Sequence, residues 1–318
     1  MLDILAITGP VYFSIAVGFF CTRFGLFAKT DKQVFGRFVI NIAVPTMLFK
    51  TMAERSLGDV FNASYLLAYL GGSLFLACLG FLWCRSIARL NRTTSAFYTM
   101  GIHCSNSVFI GYPVLLLTVA PIAGVAMALN VIMENFVLIP LMLALAESGR
   151  VKSANWLTLI GKSLLQLLRN PMIIGMLGGI AFSLLGWKLP APLAQTVSMF
   201  AITTGALSLF FVGCTLTGLP MHGMVGRVMP VVVGKLILHP LAVFLALALL
   251  PLIGMPALAH DLRMAAVLMA AVPMLSIYSI LAHTYGQEDF SAAALLVTTI
   301  VSFFTLNGLL WLLEVVPM

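Results

Sequence analysis

Of 318 residues, 61% are hydrophobic and only 8% charged, with a mean hydropathy of +1.10. A soluble domain carries about 25% charged residues, so the composition excludes one and describes a polytopic membrane protein. The net charge of +7 forms no basic stripe, which excludes a nucleic-acid partner and leaves membrane orientation as the role of the scattered Lys and Arg.

A span needs about 20 mostly apolar residues. That criterion predicts ten, at residues 4–22, 34–52, 64–86, 95–119, 121–146, 171–187, 192–219, 228–251, 262–284 and 290–313. The first has no basic n-region or cleavage site before it and is expected to act as its own insertion signal. The second contains Asn41 and Pro45. The fourth carries Ser105–Pro113, SNSVFIGYP, a composition foreign to mid-span. Glycine and proline both weaken a helix, so the chain is expected to open near Gly111–Pro113. Backbone groups freed in hydrocarbon cost several kcal/mol unless protein or a water-filled cavity satisfies them, which makes an opened helix a candidate binding site.

The fifth span contains Glu134. Residues 147–170 place Arg150, Lys152, Lys162 and Arg169 around Trp156 and several leucines at helical spacing, as expected of a helix lying in the membrane interface. The eighth span contains Lys235, His239 and Pro240, and Pro45 and Pro240 read as kinks or packing devices. In the ninth, Pro273 is followed by Ser276, Tyr278 and Ser279. The five cysteines show no C-x-x-C spacing and read as small buried hydrophobes, with no metal site and no cofactor expected.

Twelve basic residues fall in the odd-numbered loops and four on the opposite side, which predicts both termini outside the cytoplasm. Ten spans divide into residues 1–148 and 149–318, five each. An odd number per half inserts the second half upside down, the layout of an inverted repeat. Each half interrupts its fourth helix, and paired interruptions point to a transporter's substrate site.

The motifs NIAVPTMLFK at Asn41–Lys50, NSVFIGYPV at Asn106–Val114 and AAVPMLSIYSILAHTYG at Ala270–Gly286 resemble the auxin efflux carrier family, which includes bacterial dicarboxylate carriers and plant PIN proteins. The likeness covers essentially the whole chain. It implies an all-α fold of ten transmembrane helices in a 5+5 inverted repeat, with broken helices four and nine crossing at the bilayer midplane, as in bile-acid transporters and sodium–proton antiporters. Spans three to five and eight to ten would form a transport domain and spans one, two, six and seven a scaffold. It further implies carriage of small organic anions, malonate-like, malate-like or auxin-like, without ATP, across the bacterial inner membrane, and a homodimer formed through the scaffold. The substrate-contacting residues would be Asn41, Pro45, Ser105, Asn106, Ser107, Gly111, Tyr112, Pro113, Pro273, Ser276, Tyr278 and Ser279. The ninth span departs from the family pattern at Leu275–Tyr278, where small residues and an asparagine are usual.

The chemistry suits anions. A broken helix exposes amide donors where its macrodipole is positive, so a carboxylate needs no formal cation there. Glu134 and Lys235 lie at mid-span, where a charge costs roughly 3 kcal/mol or more, and must face protein or water. They read either as a structural pair or as a proton-coupling pair, with His103 and His239 as further members. A membrane hydrolase would need a nucleophile beside its base, and neither G-x-S-x-G nor H-E-x-x-H is present. The remaining alternative is a cation–proton antiporter with Glu134 as the ion-binding carboxylate.

Overall fold

The computed structural model describes residues 2–28, 31–55, 61–150, 169–218 and 224–315. Twelve helices follow one another among them: α1 Leu2–Arg23, α2 Lys32–Ala53, α3 Ala63–Ser86, α4 Arg92–His103, α5 Ser107–Thr118, α6 Ala120–Ser148, α7 Pro171–Leu184, α8 Ala191–Leu216, α9 Val225–Ile253, α10 His260–Ala271, α11 Tyr278–His283 and α12 Glu288–Val315. Among the described residues there is no strand, only an isolated bridge between Ser105 and Met274. Six helices (α2, α3, α6, α8, α9 and α12) are long and apolar enough to cross a membrane. The fourth and ninth predicted spans are each divided between two shorter helices. The expected interfacial helix at 147–170 lies largely outside the described residues.

Four helices open on asparagine. Asn62, Asn91, Asn106 and Asn170 each accept a backbone N–H of the first turn, from Tyr65, Thr94, Phe109 and Met172 respectively. A cap of this kind satisfies one of the donors a helix start leaves free and stabilises it by about 1 kcal/mol.

The mid-span prolines follow one rule. Val39–Ala43, Ser107–Gly111, Glu134–Leu138 and Gly234–Leu238 are π-helical turns, and the second residue after each is a proline, Pro45, Pro113, Pro140 or Pro240. A proline ring clashes with the carbonyl four residues before it. Here that carbonyl belongs to the widened turn, whose closing N–H groups on Val44, Tyr112, Ile139 and His239 reach back five residues instead of four. The helix therefore continues through the proline. Pro10 in α1 and Pro230 in α9 sit in ordinary helix instead.

In lipid, helices associate by close packing of small residues, and glycines set the tightest crossings. A Cβ on Gly213 of α8 would lie 1.9 Å from the carbonyl oxygen of Ile15 in α1, and one on Gly18 would lie 2.1 Å from that of Phe210. Likewise Gly175 and Gly179 of α7 abut the carbonyls of Pro45 and Phe49 in α2. Gly72 of α3 meets the backbone of Ala242 and Val243 in α9. Of the cysteines, Cys84, Cys104 and Cys214 are buried as expected, whereas Cys21 is half-buried and Cys78 exposed on α3.

Candidate functional site

The two interrupted helices meet at their interruptions. Between α4 and α5 the chain is extended at Cys104 and turns at Asn106; between α10 and α11 it is extended from Val272. Ser105 and Met274 pair as an antiparallel bridge, and the Asn106 N–H donates to the Pro273 carbonyl at 2.8 Å. The Asn106 amide then divides its two ends. Its Oδ1 accepts from the Phe109 N–H at 3.3 Å, and its Nδ2 donates to the Ser276 hydroxyl at 2.7 Å.

The break therefore lies at Cys104–Asn106, upstream of the Gly111–Pro113 opening expected from composition. At Gly111 the chain is helical, its N–H bonded to the Asn106 carbonyl at 2.8 Å. The π turn absorbs Pro113. Gly111 serves close approach instead, since a Cβ there would lie 2.5 Å from the Met269 sulfur of α10. The amides left without a carbonyl one turn earlier are those of Ser107 and Val108, at the start of α5.

Behind the bridge lies a buried polar network. Glu134, 6% exposed, takes the Ser105 N–H at 3.1 Å and the Ser107 hydroxyl at 2.8 Å, both on Oε1. Lys235, fully buried, donates from Nζ to the Ser105 hydroxyl at 2.5 Å, to the Ala270 carbonyl at 3.0 Å and to His239 Nδ1 at 2.8 Å. An ammonium has three donors and no acceptor, so this set satisfies all three. With Lys235 as an ammonium, His239 accepts at Nδ1 and donates from Nε2 to the Ser73 hydroxyl, 2.9 Å away; Nδ1 also lies 3.2 Å from the Ala270 carbonyl. Glu134 and Lys235 thus form no direct ion pair; they hold opposite sides of Ser105, one its N–H and the other its Oγ.

Sequence reasoning missed the supporting groups. Tyr69 bonds the Ser105 hydroxyl at 3.0 Å, Asn130 donates to Ser107 at 3.4 Å, and Tyr65 donates to Asn130 at 3.3 Å. Their signal is spacing: Tyr65, Tyr69 and Ser73 recur every four residues on α3, as Asn130 and Glu134 do on α6, so each set shares a helix face.

Other expected contacts lie elsewhere. His103 bonds its own helix at Thr99 and sits beside the Cys104 thiol. Tyr278 is buried and donates to the Phe97 carbonyl of α4 at 2.5 Å. Tyr112 and Pro113 are buried at the junction of the π turn with the rest of α5. Asn41 is exposed on α2 with its amide donated to the Arg37 carbonyl, and the Pro45 carbonyl lies against Gly175. Neither Asn41 nor Pro45 bonds to either break.

A cavity of about 800 Å³ opens between α2, α8, α11 and α12 and reaches Ser276 and Ser279. Lys32 and Arg37 line it from α2, and Glu288 and Asp289 from α12. Among the described residues neither Lys32 nor Arg37 forms an ion pair, whereas Glu288 pairs with His283 at 3.4 Å. Lys32 and Arg37 thus share this wall with two carboxylates, a placement hidden while the two cations are counted only toward orientation.

The family described as membrane transport protein matches the chain over residues 6–310. The chain is 26% identical, over 325 residues, to the "Putative malonate transporter" of Rhizobium meliloti (strain 1021), covering 99% of this chain and 97% of that protein. It is 25% identical, over 224 residues, to the "Lysosomal cholesterol signaling protein" of Mus musculus, covering 64% of this chain and 25% of that protein. The family description and the first relative's name both indicate membrane transport.

Proposed function

The chain belongs to the membrane transport protein family, the auxin efflux carriers that its motifs resemble, and on that premise we propose that it carries a small carboxylate, malonate-like or malate-like, by alternating access. The observation that carries this reading is the joined pair of breaks, of which Ser276 reaches a cavity also lined by Lys32 and Arg37. Lys32 and Arg37 draw the anion in. The amides of Ser107 and Val108, at the positive end of α5, and the Asn106 and Ser276 side chains receive its carboxylate. No step needs ATP.

The proposed division has α1, α2, α7 and α8 as a scaffold, with the remaining helices moving against it. The glycine crossings of α1 with α8 and of α2 with α7 favour it, because they lock those helices into pairs. The halves would be a 5+5 inverted repeat with both termini outside the cytoplasm of a bacterial inner-membrane protein, and scaffolds would meet in a homodimer. On that orientation the cavity faces the cytoplasm. Glu134, Lys235 and His239 provide charge balance behind the bridge, and Glu134, whose bonds to Ser105 and Ser107 both fall on Oε1, offers Oε2 to take up a coupled proton.

Uptake of radiolabelled malonate and malate into proteoliposomes tests the reading. Saturable uptake that falls in an Asn106→Ala variant is expected. Sodium-dependent proton flux with no carboxylate uptake would replace it with cation–proton antiport.

A further inference from the structure

One face of α8 runs the length of that helix. Ala194, Val197, Ala201, Thr204, Ser208, Phe211 and Thr215 alternate at steps of three and four residues, so their side chains share a stripe. At one end Phe211 and Thr215 line the 800 Å³ cavity that reaches Ser276. At the other, Ala194 and Val197 line a separate cavity of about 520 Å³ walled by α2, α7 and α8. Between them the stripe is sealed. Phe211 packs on Phe109 of α5 with ring centroids 5.1 Å apart and fills the space that a side chain at Gly36 of α2 would need.

In the sealed part, Thr204 and Ser208 are fully buried and their hydroxyls have no partner among the described residues. Three other hydroxyls of α8 are satisfied locally: Thr196, Thr203 and Thr215 donate to carbonyls three or four residues back. Thr204 and Ser208 make no such bond to the carbonyls behind them. A buried hydroxyl without a partner is disfavoured, and valine or alanine would fill the same space at no such cost. A second arrangement in which these hydroxyls find a partner would remove that cost.

We propose that Thr204 and Ser208 form the α8 wall of the closed half of the substrate route, and that they donate to the passing carboxylate when the route opens on their side. This rests on the alternating-access reading above. Thr215 already lines the open half, and the Phe109–Phe211 contact divides the two.

The test uses the full chain in proteoliposomes carrying Thr204→Cys, Ser208→Cys or Thr215→Cys, probed with a membrane-impermeant thiol reagent from each side. Labelling is read above that of the parent chain, whose Cys78 is exposed. Thr215→Cys is expected to react from the cavity side. Thr204→Cys and Ser208→Cys are expected to react several-fold above background from the opposite side, with malonate slowing all three. Reaction at all three without malonate protection supports the route and removes malonate as its cargo. Protection at Thr215→Cys, with positions 204 and 208 inert from both sides, overturns the route while transport stands. Thr204→Val and Ser208→Ala provide an independent readout, expected to raise Tm by a few degrees and slow uptake several-fold. A higher Tm with unchanged uptake overturns the proposal.

Discussion

Removing the Lys235 ammonium while keeping its stem, as in Lys235→Met, would strip three hydrogen bonds from a fully buried site. It would also leave Glu134 without a nearby cation. Breaking one side of a buried charge arrangement costs about 3–5 kcal/mol, because the other charge stays desolvated. The two charges are bridged by Ser105 and not in direct contact, so they sit roughly 4–8 Å apart, worth about 2–4 kcal/mol at an effective dielectric of about 20. Glu134→Gln alone should cost less, since a glutamine oxygen still accepts from Ser105 and Ser107. The double variant should then recover about 2–4 kcal/mol relative to the sum of the singles. Thermal unfolding in detergent reads this, at about 2 °C per kcal/mol for a chain this long: Lys235→Met should melt roughly 6–10 °C lower, and adding Glu134→Gln should restore several degrees. If the double variant melts at the sum of the two single losses, the charges are not coupled through Ser105.

Asn106→Ala removes both the cap on α5 and the bond to Ser276; it should cost about 1–2 kcal/mol and weaken malonate binding, and wild-type affinity in a thermal-shift titration would remove Asn106 from the site. Gly213→Ala drives a methyl group to 1.9 Å from the Ile15 carbonyl, so α1 and α8 must separate, at about 1–3 kcal/mol. Gly308→Ala meets nothing within 4 Å and should be neutral or stabilising by up to about 1 kcal/mol; equal melting of the two variants would refute the tight crossing. Replacing Lys32 and Arg37 together with glutamine should slow uptake chiefly at low substrate and reduce its dependence on ionic strength, and an unchanged salt profile would show that they do not recruit the anion.

The helical segments were legible because hydrophobic length is a long-range signal that a local error does not disturb. All ten predicted stretches hold a helix or a pair of helices. The site was legible as a region but not at atomic detail. Glycine and proline drew attention to Gly111–Pro113, yet the chain opens at Cys104–Asn106, where neither residue occurs. What opens it there is pairing with Pro273 and Met274, 167 and 169 positions away along the chain, and no local rule reports a contact at that range. Glu134 and Lys235 stood out because a charge in a span is rare. Tyr65, Tyr69, Ser73 and Asn130 did not, because tyrosine, serine and asparagine recur in spans for plain packing, and only their joint spacing marks them as a set.

The π turns have a consequence for how such a chain tolerates change in length. Each turn contains one residue more than a regular helix would spend, so the part beyond it is rotated by about 100° from where uniform winding would place it. Ser107, Glu134 and Lys235 all lie within these turns. A turn of this kind acts as an insertion already accommodated, and deleting one residue from it restores regular winding while both flanks keep their faces toward their neighbours. Deleting one residue of Val39–Ala43 in α2, together with replacement of Pro45, should therefore leave the chain folded, whereas a deletion in α3, which has no such turn, would rotate every later contact out of phase.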